Sequence, residues 1–319
     1  MQRIRAAVVG VGYLGRFHAQ KYAQAEGCEL VAVVDSRQEA REQVAAELKT
    51  RALADHRELL GAVDAVSVVT PTPAHFAVAR DFLGRGTHVL VEKPITETPA
   101  QARELIELAA RARRILQVGH LERFNEAIRA AEPYLRSPNF VECNRMAPYR
   151  ERGTDVNVVL DLMIHDIDIV QTIVAAPIAT IDAVGTPVFS EEIDIANARL
   201  RFENGCVANV TASRVSVKTE RKLRIFGDDA YLSLDLQQKI VTLIRKRPGA
   251  GPGELPVTIE EQALEPGDAL KAEIDSFLEC IRTGGRPVVP GEAGLTALET
   301  ALRITAQVNE SLAARKARA

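Results

Sequence analysis

Short apolar runs and helix-period stretches alternate along the first third of the chain. Apolar runs predict strands at 4–9, 29–34, 64–70, 87–91 and 114–119. Between them, recurrence at three and four residues predicts helices at 13–25, 37–49, 73–84 and 98–113. Thr98-Pro99 reads as the N-cap and first residue of the last of these helices. Alternation of this kind predicts a parallel sheet with helices on both faces. After Phe124 the pattern changes. A helix is expected at 125–135, a strand at 139–147 and a helix at 155–174. Strands without intervening helices follow at 179–188, 194–202, 206–213, 222–227, 230–236 and 239–245, with hairpin turns at Asn204-Gly205 and Gly227-Asp-Asp229. Gly249 to Pro256 reads as a loop, and helices at 268–283 and 292–314 close the chain. The expected fold is an α/β Rossmann domain with a doubly wound parallel sheet at 1–120, then an α+β domain with a mainly antiparallel, open-faced sheet at 121–319.

The first strand runs into Gly10-Val-Gly12-Tyr-Leu-Gly15, and the second ends on Asp35. Each piece has a physical task. Gly10 permits the tight turn, Gly12 clears space for a pyrophosphate and Gly15 lets helix and strand pack closely. The helix start, with Tyr13 and Leu14, presents N–H groups and a positive dipole end to phosphates. Asp35, with Ser36 and Arg37 after it, forms the adenosine end, where a carboxylate accepts ribose hydroxyls. Asp35 favours NAD, since it repels a 2′-phosphate; Arg37 is the group able to receive one.

Composition narrows the class. With 319 residues, 46% hydrophobic and a net charge of −3, the chain fits a two-domain globular protein with no electrostatic case for nucleic acid. No apolar run reaches the roughly 18 residues of a membrane span. No secretory signal is read at Met1, so a cytoplasmic enzyme is expected. Cys28, Cys143, Cys206 and Cys280 are widely spaced, which argues for buried thiols rather than a zinc site or disulfides.

Three constellations carry chemistry. Thr70-Pro71 to His75 and Glu92-Lys93-Pro94 follow strand ends, where ligands bind in open α/β sheets. Lys93, pinned by Pro94, reads either as a base or hydroxyl ligand, or as a solvated lysine beside Glu92. Asp161-Leu-Met-Ile-His165-Asp-Ile-Asp168 is expected to place Asp161, His165 and Asp168 on one helix face. There His165 could move a proton, be a satisfied core histidine, or bind a metal, though no third ligand lies near in sequence. Gln117 to Asn125 is expected to turn Glu122, Arg123 and Asn125 toward the substrate, with His120 as readily structural. Arg145, Arg150 and Arg152 read as anion ligands or as exposed charges.

The glycine fingerprint with Asp35, Thr70-Pro71…His75, Glu92-Lys93-Pro94, Asp161-x-x-x-His165-x-x-Asp168 and the closing Phe277…Gly285-x-Pro287-x-Val289-x-Gly291 together resemble the glucose–fructose oxidoreductase/inositol dehydrogenase (Gfo/Idh/MocA) family over essentially the whole chain. The resemblance implies hydride transfer between a nicotinamide and a sugar or cyclitol carbon. It implies Lys93 and His165 as the proton-handling pair, with Asp161 orienting them or the substrate. Thr70, Pro71, His75 and Glu92 would line the cofactor. Gly119-His-Leu-Glu-Arg-Phe-Asn125 and the segment through Tyr149-Arg-Glu-Arg-Gly153 are most similar to the UDP-N-acetylglucosamine dehydrogenases of lipid A amino-sugar synthesis. That implies oxidation of the 3-hydroxyl, Arg150 and Arg152 on the diphosphate, and a partner aminotransferase. No metal is expected, and the open sheet face suggests a homodimer or homotetramer. Inositol or free monosaccharide oxidation stands as an alternative in the same class. A nucleotide sensor without turnover stands as an alternative of another class.

Overall fold

The computed structural model describes residues 3–135, 137–150, 156–249 and 254–318. The chain packs into two compact units, 1–124 with 268–298, and 125–267 with 299–319. The sequence pattern places all of 121–319 in one domain. Residues 268–298 instead pack with the first unit, where Phe277 and Ile274 join the core of the nucleotide-type fold.

The first unit runs β1 (Ile4–Val9), α1 (Tyr13–Gln24), β2 (Cys28–Val34), α2 (Gln38–Leu48), β3 (Arg51–Leu53), β4 (Ala65–Val68), α3 (Thr72–Gly84), β5 (His88–Glu92), α4 (Pro99–Ala112) and β6 (Leu116–Gly119). Its strands form a six-stranded sheet in the order β3-β2-β1-β4-β5-β6, every pair parallel. The order reverses between β1 and β4, which opens a crevice beyond their carboxyl ends. β4 is buried along its whole length, as both-face coverage requires of an inner parallel strand. Thr98 caps α4 in a reciprocal capping box with Gln101, worth about 1 kcal/mol. β3 went unpredicted because its three residues carry too short a pattern.

His88 opens β5, and its Nδ1 accepts the Ile115 N–H at 2.9 Å. Burial pushes its pKa down to about 4, Arg114 adds to the shift and Asp64 opposes it. The folded ring therefore stays neutral where the unfolded one, near 6.5, takes a proton. Its contribution to stability is complete above the unfolded value and is lost as pH falls from there through about 4. Thermal denaturation of wild type and His88→Asn across that window checks this: the variant should lose less stability on acidification.

The second unit begins with α5 (Glu126–Ala131) and β7 (Phe140–Met146). A π-helical turn at Val159–Met163 then leads into α6 (Ile164–Val174). The strands β8 (Ile178–Thr186), β9 (Ile195–Phe202), β10 (Val207–Ser213), β11 (Glu220–Phe226), β12 (Ala230–Asp235), β13 (Ile240–Lys246) and β14 (Val257–Ala263) follow. Their eight-stranded sheet has the order β14-β13-β12-β11-β7-β10-β9-β8 and is antiparallel except between β7 and β10. Strands such as β9 alternate buried Ala196, Ala198, Leu200 and Phe202 with outward Asn197, Arg199 and Arg201. The sheet thus has one apolar face and one polar face. α7 (Ala269–Thr283) returns to the first unit, and α8 (Gly291–Lys316) closes the chain. β14 was also unpredicted. It is an almost wholly exposed edge strand without apolar alternation, ordered by its pairing with β13.

Candidate active site

The glycine fingerprint folds as its spacing requires. Gly10 takes φ +88°, and a Cβ there would lie 2.6 Å from the Val69 carbonyl oxygen. A Cβ on Gly15 would stand 1.8 Å from the Gly10 carbonyl oxygen, so both positions admit only glycine. Gly12 has no side chain to cap the first turn of α1, and a helix start of this kind is where an anion binds. Asp35 is 9% exposed at the end of β2. Its Oδ2 accepts the Val11 N–H at 2.9 Å and its Oδ1 the Arg37 N–H at 2.9 Å. The carboxylate is aimed by the backbone and retains acceptor capacity for ribose hydroxyls. A cavity of about 300 Å³ lies alongside, lined by Val11, Gly12, Tyr13, Arg16, Phe17 and Arg37 among others. Arg37 leans back on Asp35, its Nε 3.4 Å from Oδ1. Ser36 is exposed in the same turn. The uncapped helix start, the obligatory glycines and the aimed carboxylate fit a dinucleotide.

Beyond β4 and β5, Thr70 is half-buried, Pro71 is exposed and Lys93 is half-buried. The ring of His75 is 1% exposed and stands between two carbonyls, Pro94 at 2.9 Å from Nδ1 and Thr70 at 2.8 Å from Nε2. Burial lowers its pKa, against the pull of those carbonyls. A neutral ring donates to only one of them at a time. His75 therefore ties the Thr70 turn to the Lys93-Pro94 turn, whose peptide is cis. Glu92 lies beneath, its Oε2 accepting the Lys93 N–H at 3.2 Å.

In the second unit the π-helical turn interrupts the simple helical phase expected from 155 onward. Asp161 lies within that turn, and His165 is in the first turn of α6; both are half-buried. Such turns widen the helix by one residue and re-aim its side chains, often at functional sites. Asp168 is buried at 2% and its carbonyl accepts the Thr172 hydroxyl. Asp166, which the sequence pattern left unremarked, forms a buried ion pair with Arg145: Nε to Oδ2 at 2.8 Å and Nη2 to Oδ1 at 2.8 Å. The anion-ligand reading of Arg145 is corrected accordingly, because its guanidinium faces a carboxylate of its own unit. Arg150 is exposed, and Arg152 lies outside the described residues.

The Gln117–Asn125 stretch divides. Glu122 is buried. Arg123 donates from Nη2 to the Val288 carbonyl at 3.0 Å. Asn125 caps α5 by accepting the Ala127 N–H and donates to the Leu236 carbonyl at 3.1 Å. These partners give Arg123 and Asn125 architectural tasks. All four cysteines are buried free thiols.

A model of the oxidoreductase family with an NAD-binding Rossmann fold, GFO_IDH_MocA, matches residues 4–120. The model of the family's C-terminal domain matches residues 111–233. The chain belongs to the Gfo/Idh/MocA oxidoreductase family. Among its relatives, UDP-N-acetylglucosamine 3-dehydrogenase of Acidithiobacillus ferrooxidans is 40% identical over 98% of this chain and 99% of its own. A solved structure of that enzyme superposes with a TM-score of 0.91 at 39% identity, covering 97% of this chain and 98% of that one. The NAD-dependent scyllo-inositol 2-dehydrogenase of Bacillus subtilis is 27% identical over 95% of this chain and 93% of its own. The chain is thus an NAD-dependent dehydrogenase of a family that acts on sugar and cyclitol hydroxyls. No helix among the described residues is long and apolar enough to cross a membrane.

The sequence reading missed His18, Tyr22, Ser67 and Glu273, which gather in the core of the first unit around Glu92. For His18 a signal existed, a histidine one turn past Gly15 on the inward face of α1. For Glu273 none did, since its helix lies far along the chain.

Proposed function

We propose that this chain oxidises the 3-hydroxyl of UDP-N-acetylglucosamine to a ketone with NAD. The observation that carries the reading is full-length similarity to an enzyme named for that reaction; the chain also carries Lys93, Asp161 and His165, residue types able to move or direct a proton. NAD, when bound, supplies the hydride acceptor. Asp35 holds the adenosine ribose and the start of α1 the pyrophosphate. Lys93 or His165 takes the hydroxyl proton as hydride leaves the same carbon, and Asp161 orients the hydroxyl or the base. The ketone so formed suits a following transamination in lipid A amino-sugar synthesis, in the cytoplasm. A homodimer or homotetramer is the assembly we assign, through the polar face of the second unit's sheet; sedimentation of the purified chain reports the subunit count.

Oxidation of inositol is the second reading, favoured by the inositol dehydrogenases among the relatives. The test is reduction of NAD followed by absorbance, with UDP-N-acetylglucosamine, myo-inositol and free hexoses offered in turn beside a carbonyl trap or an aminotransferase. Turnover with the UDP-sugar alone is expected. Turnover with a free polyol alone would overturn the nucleotide-sugar assignment. NAD binding with no turnover on any of them would favour a sensor.

A further inference from the structure

Behind Lys93 lies a buried set of side chains with no direct part in hydride transfer. His18 and Tyr22 come from α1, Ser67 from β4, Glu92 from β5 and Glu273 from α7. None is more than 8% exposed. The Tyr22 hydroxyl lies 2.9 Å from the Ser67 hydroxyl, which lies 3.2 Å from His18 Nδ1. His18 Nε2 is 3.1 Å from Glu92 Oε1, and Glu92 Oε2 receives the Lys93 N–H. A hydrogen-bonded line therefore runs from α1 to the backbone of Lys93.

Glu273 stands against the end of that line. Polar atoms of His18, Glu92 and Glu273 all lie within 4.8 Å of one another. Neither side-chain oxygen of Glu273 has a hydrogen-bond partner among the described residues. Its backbone carbonyl accepts Gln117 Nε2 at 3.2 Å, which fixes α7 on β6 at this point. The room is also built in: a Cβ on Gly119 of β6 would lie 2.7 Å from Glu92 Oε1.

We propose that Glu273 is a positioning residue, a neutral acid whose single hydrogen is shared with the Glu92 carboxylate and clamps that carboxylate against the Lys93 N–H. Two adjacent buried carboxylates cannot both stay charged. Burial and then the charge of Glu92 raise the Glu273 pKa well above the ordinary range. Burial alone would raise Glu92 too, but the bond and field of His18 and the charge and N–H of Lys93 outweigh it and leave Glu92 the ionised partner. The other titratable groups that face the pair are Tyr22, held protonated chiefly by burial, and His75. A protonated acid has one O–H donor, and Glu92, within 4.8 Å, is the charged acceptor of the cluster. The proposal rests on the assignment of Lys93 to proton transfer.

The test uses the full chain and two variants, Glu273→Gln and Glu273→Leu. Infrared spectra of the wild type at neutral pH should carry the carbonyl band of a protonated carboxylic acid, and Glu273→Gln should remove it. Absence of the band overturns the proposal. Glu273→Leu should lower kcat by about tenfold or more, shift its pH profile and leave NAD binding unchanged. Glu273→Gln keeps a donor and should recover most of that rate. Equal kcat and pH profile in wild type and Glu273→Leu overturn the proposal; should the leucine variant not fold, the band and Glu273→Gln decide it. Stoichiometric metal in the purified protein, lost in Glu273→Gln, would also overturn it and assign a metal site instead. The infrared band does not depend on catalysis, so turnover by Lys93→Met would sink the base assignment while the shared proton is judged separately.

Discussion

Lys93→Met is expected to lower kcat by about 10²–10⁴-fold while leaving NAD affinity near that of the wild type. Methionine keeps the unbranched length of lysine and removes its proton chemistry. The fingerprint, Asp35 and the start of α1 are untouched, so cofactor titration by fluorescence separates binding from chemistry. The backbone N–H that bonds Glu92 also survives the substitution. The loss should therefore appear in kcat rather than in folding. Turnover within a fewfold of wild type would remove Lys93 from proton transfer and leave His165 as the base. The same measurement on His165→Asn ranks the two groups.

Asp166→Asn is expected to cost about 3–5 kcal/mol of stability, the largest such effect we foresee in the second unit. The Arg145 guanidinium is 3% exposed, and both its bonds to Asp166 are short. Neutralising the acid leaves the positive charge buried without its counter-charge. Denaturant unfolding checks the magnitude. The double variant Arg145→Met with Asp166→Leu should recover much of the loss, because the charge that requires compensation is gone. A different result, with stability unchanged by Arg145→Met and KM for the UDP-sugar raised, would return Arg145 to the substrate. Asp166 follows His165 in sequence, so the pair also governs how firmly the start of α6 is held.

Much of this was legible in the chain itself, for local reasons. The parallel sheet follows from buried apolar runs alternating with amphipathic stretches. The fingerprint follows from the glycine spacing, and the structure shows Gly10 and Gly15 to be sterically obligatory. Thr98 and the Asn204-Gly205 turn act within a few residues of themselves, so spacing alone located them. The places of Thr70, His75 and Lys93 beyond the strand ends were legible because they follow from strand ends and short spacing.

The rest required contacts between distant segments. One regular helix was expected to carry Asp161 and His165, and the π-helical turn that holds Asp161 has no sequence signature of its own. Arg145 was left open between an anion ligand and an exposed charge, because its partner, twenty-one residues away, becomes a neighbour only when β7 meets α6. β14 exists because β13 offers it hydrogen bonds, not because its residues alternate. Glu273 lies 181 residues beyond Glu92 in the chain, 273 less 92. By itself the sequence determined the order of elements, the nucleotide-type turn and the residue types of the chemistry, since these depend on local sterics and periodicity. The tertiary structure alone decided which buried charges are paired, where α7 belongs and which groups stand behind Lys93, because burial and Coulomb energy are set by neighbours brought together from far along the chain.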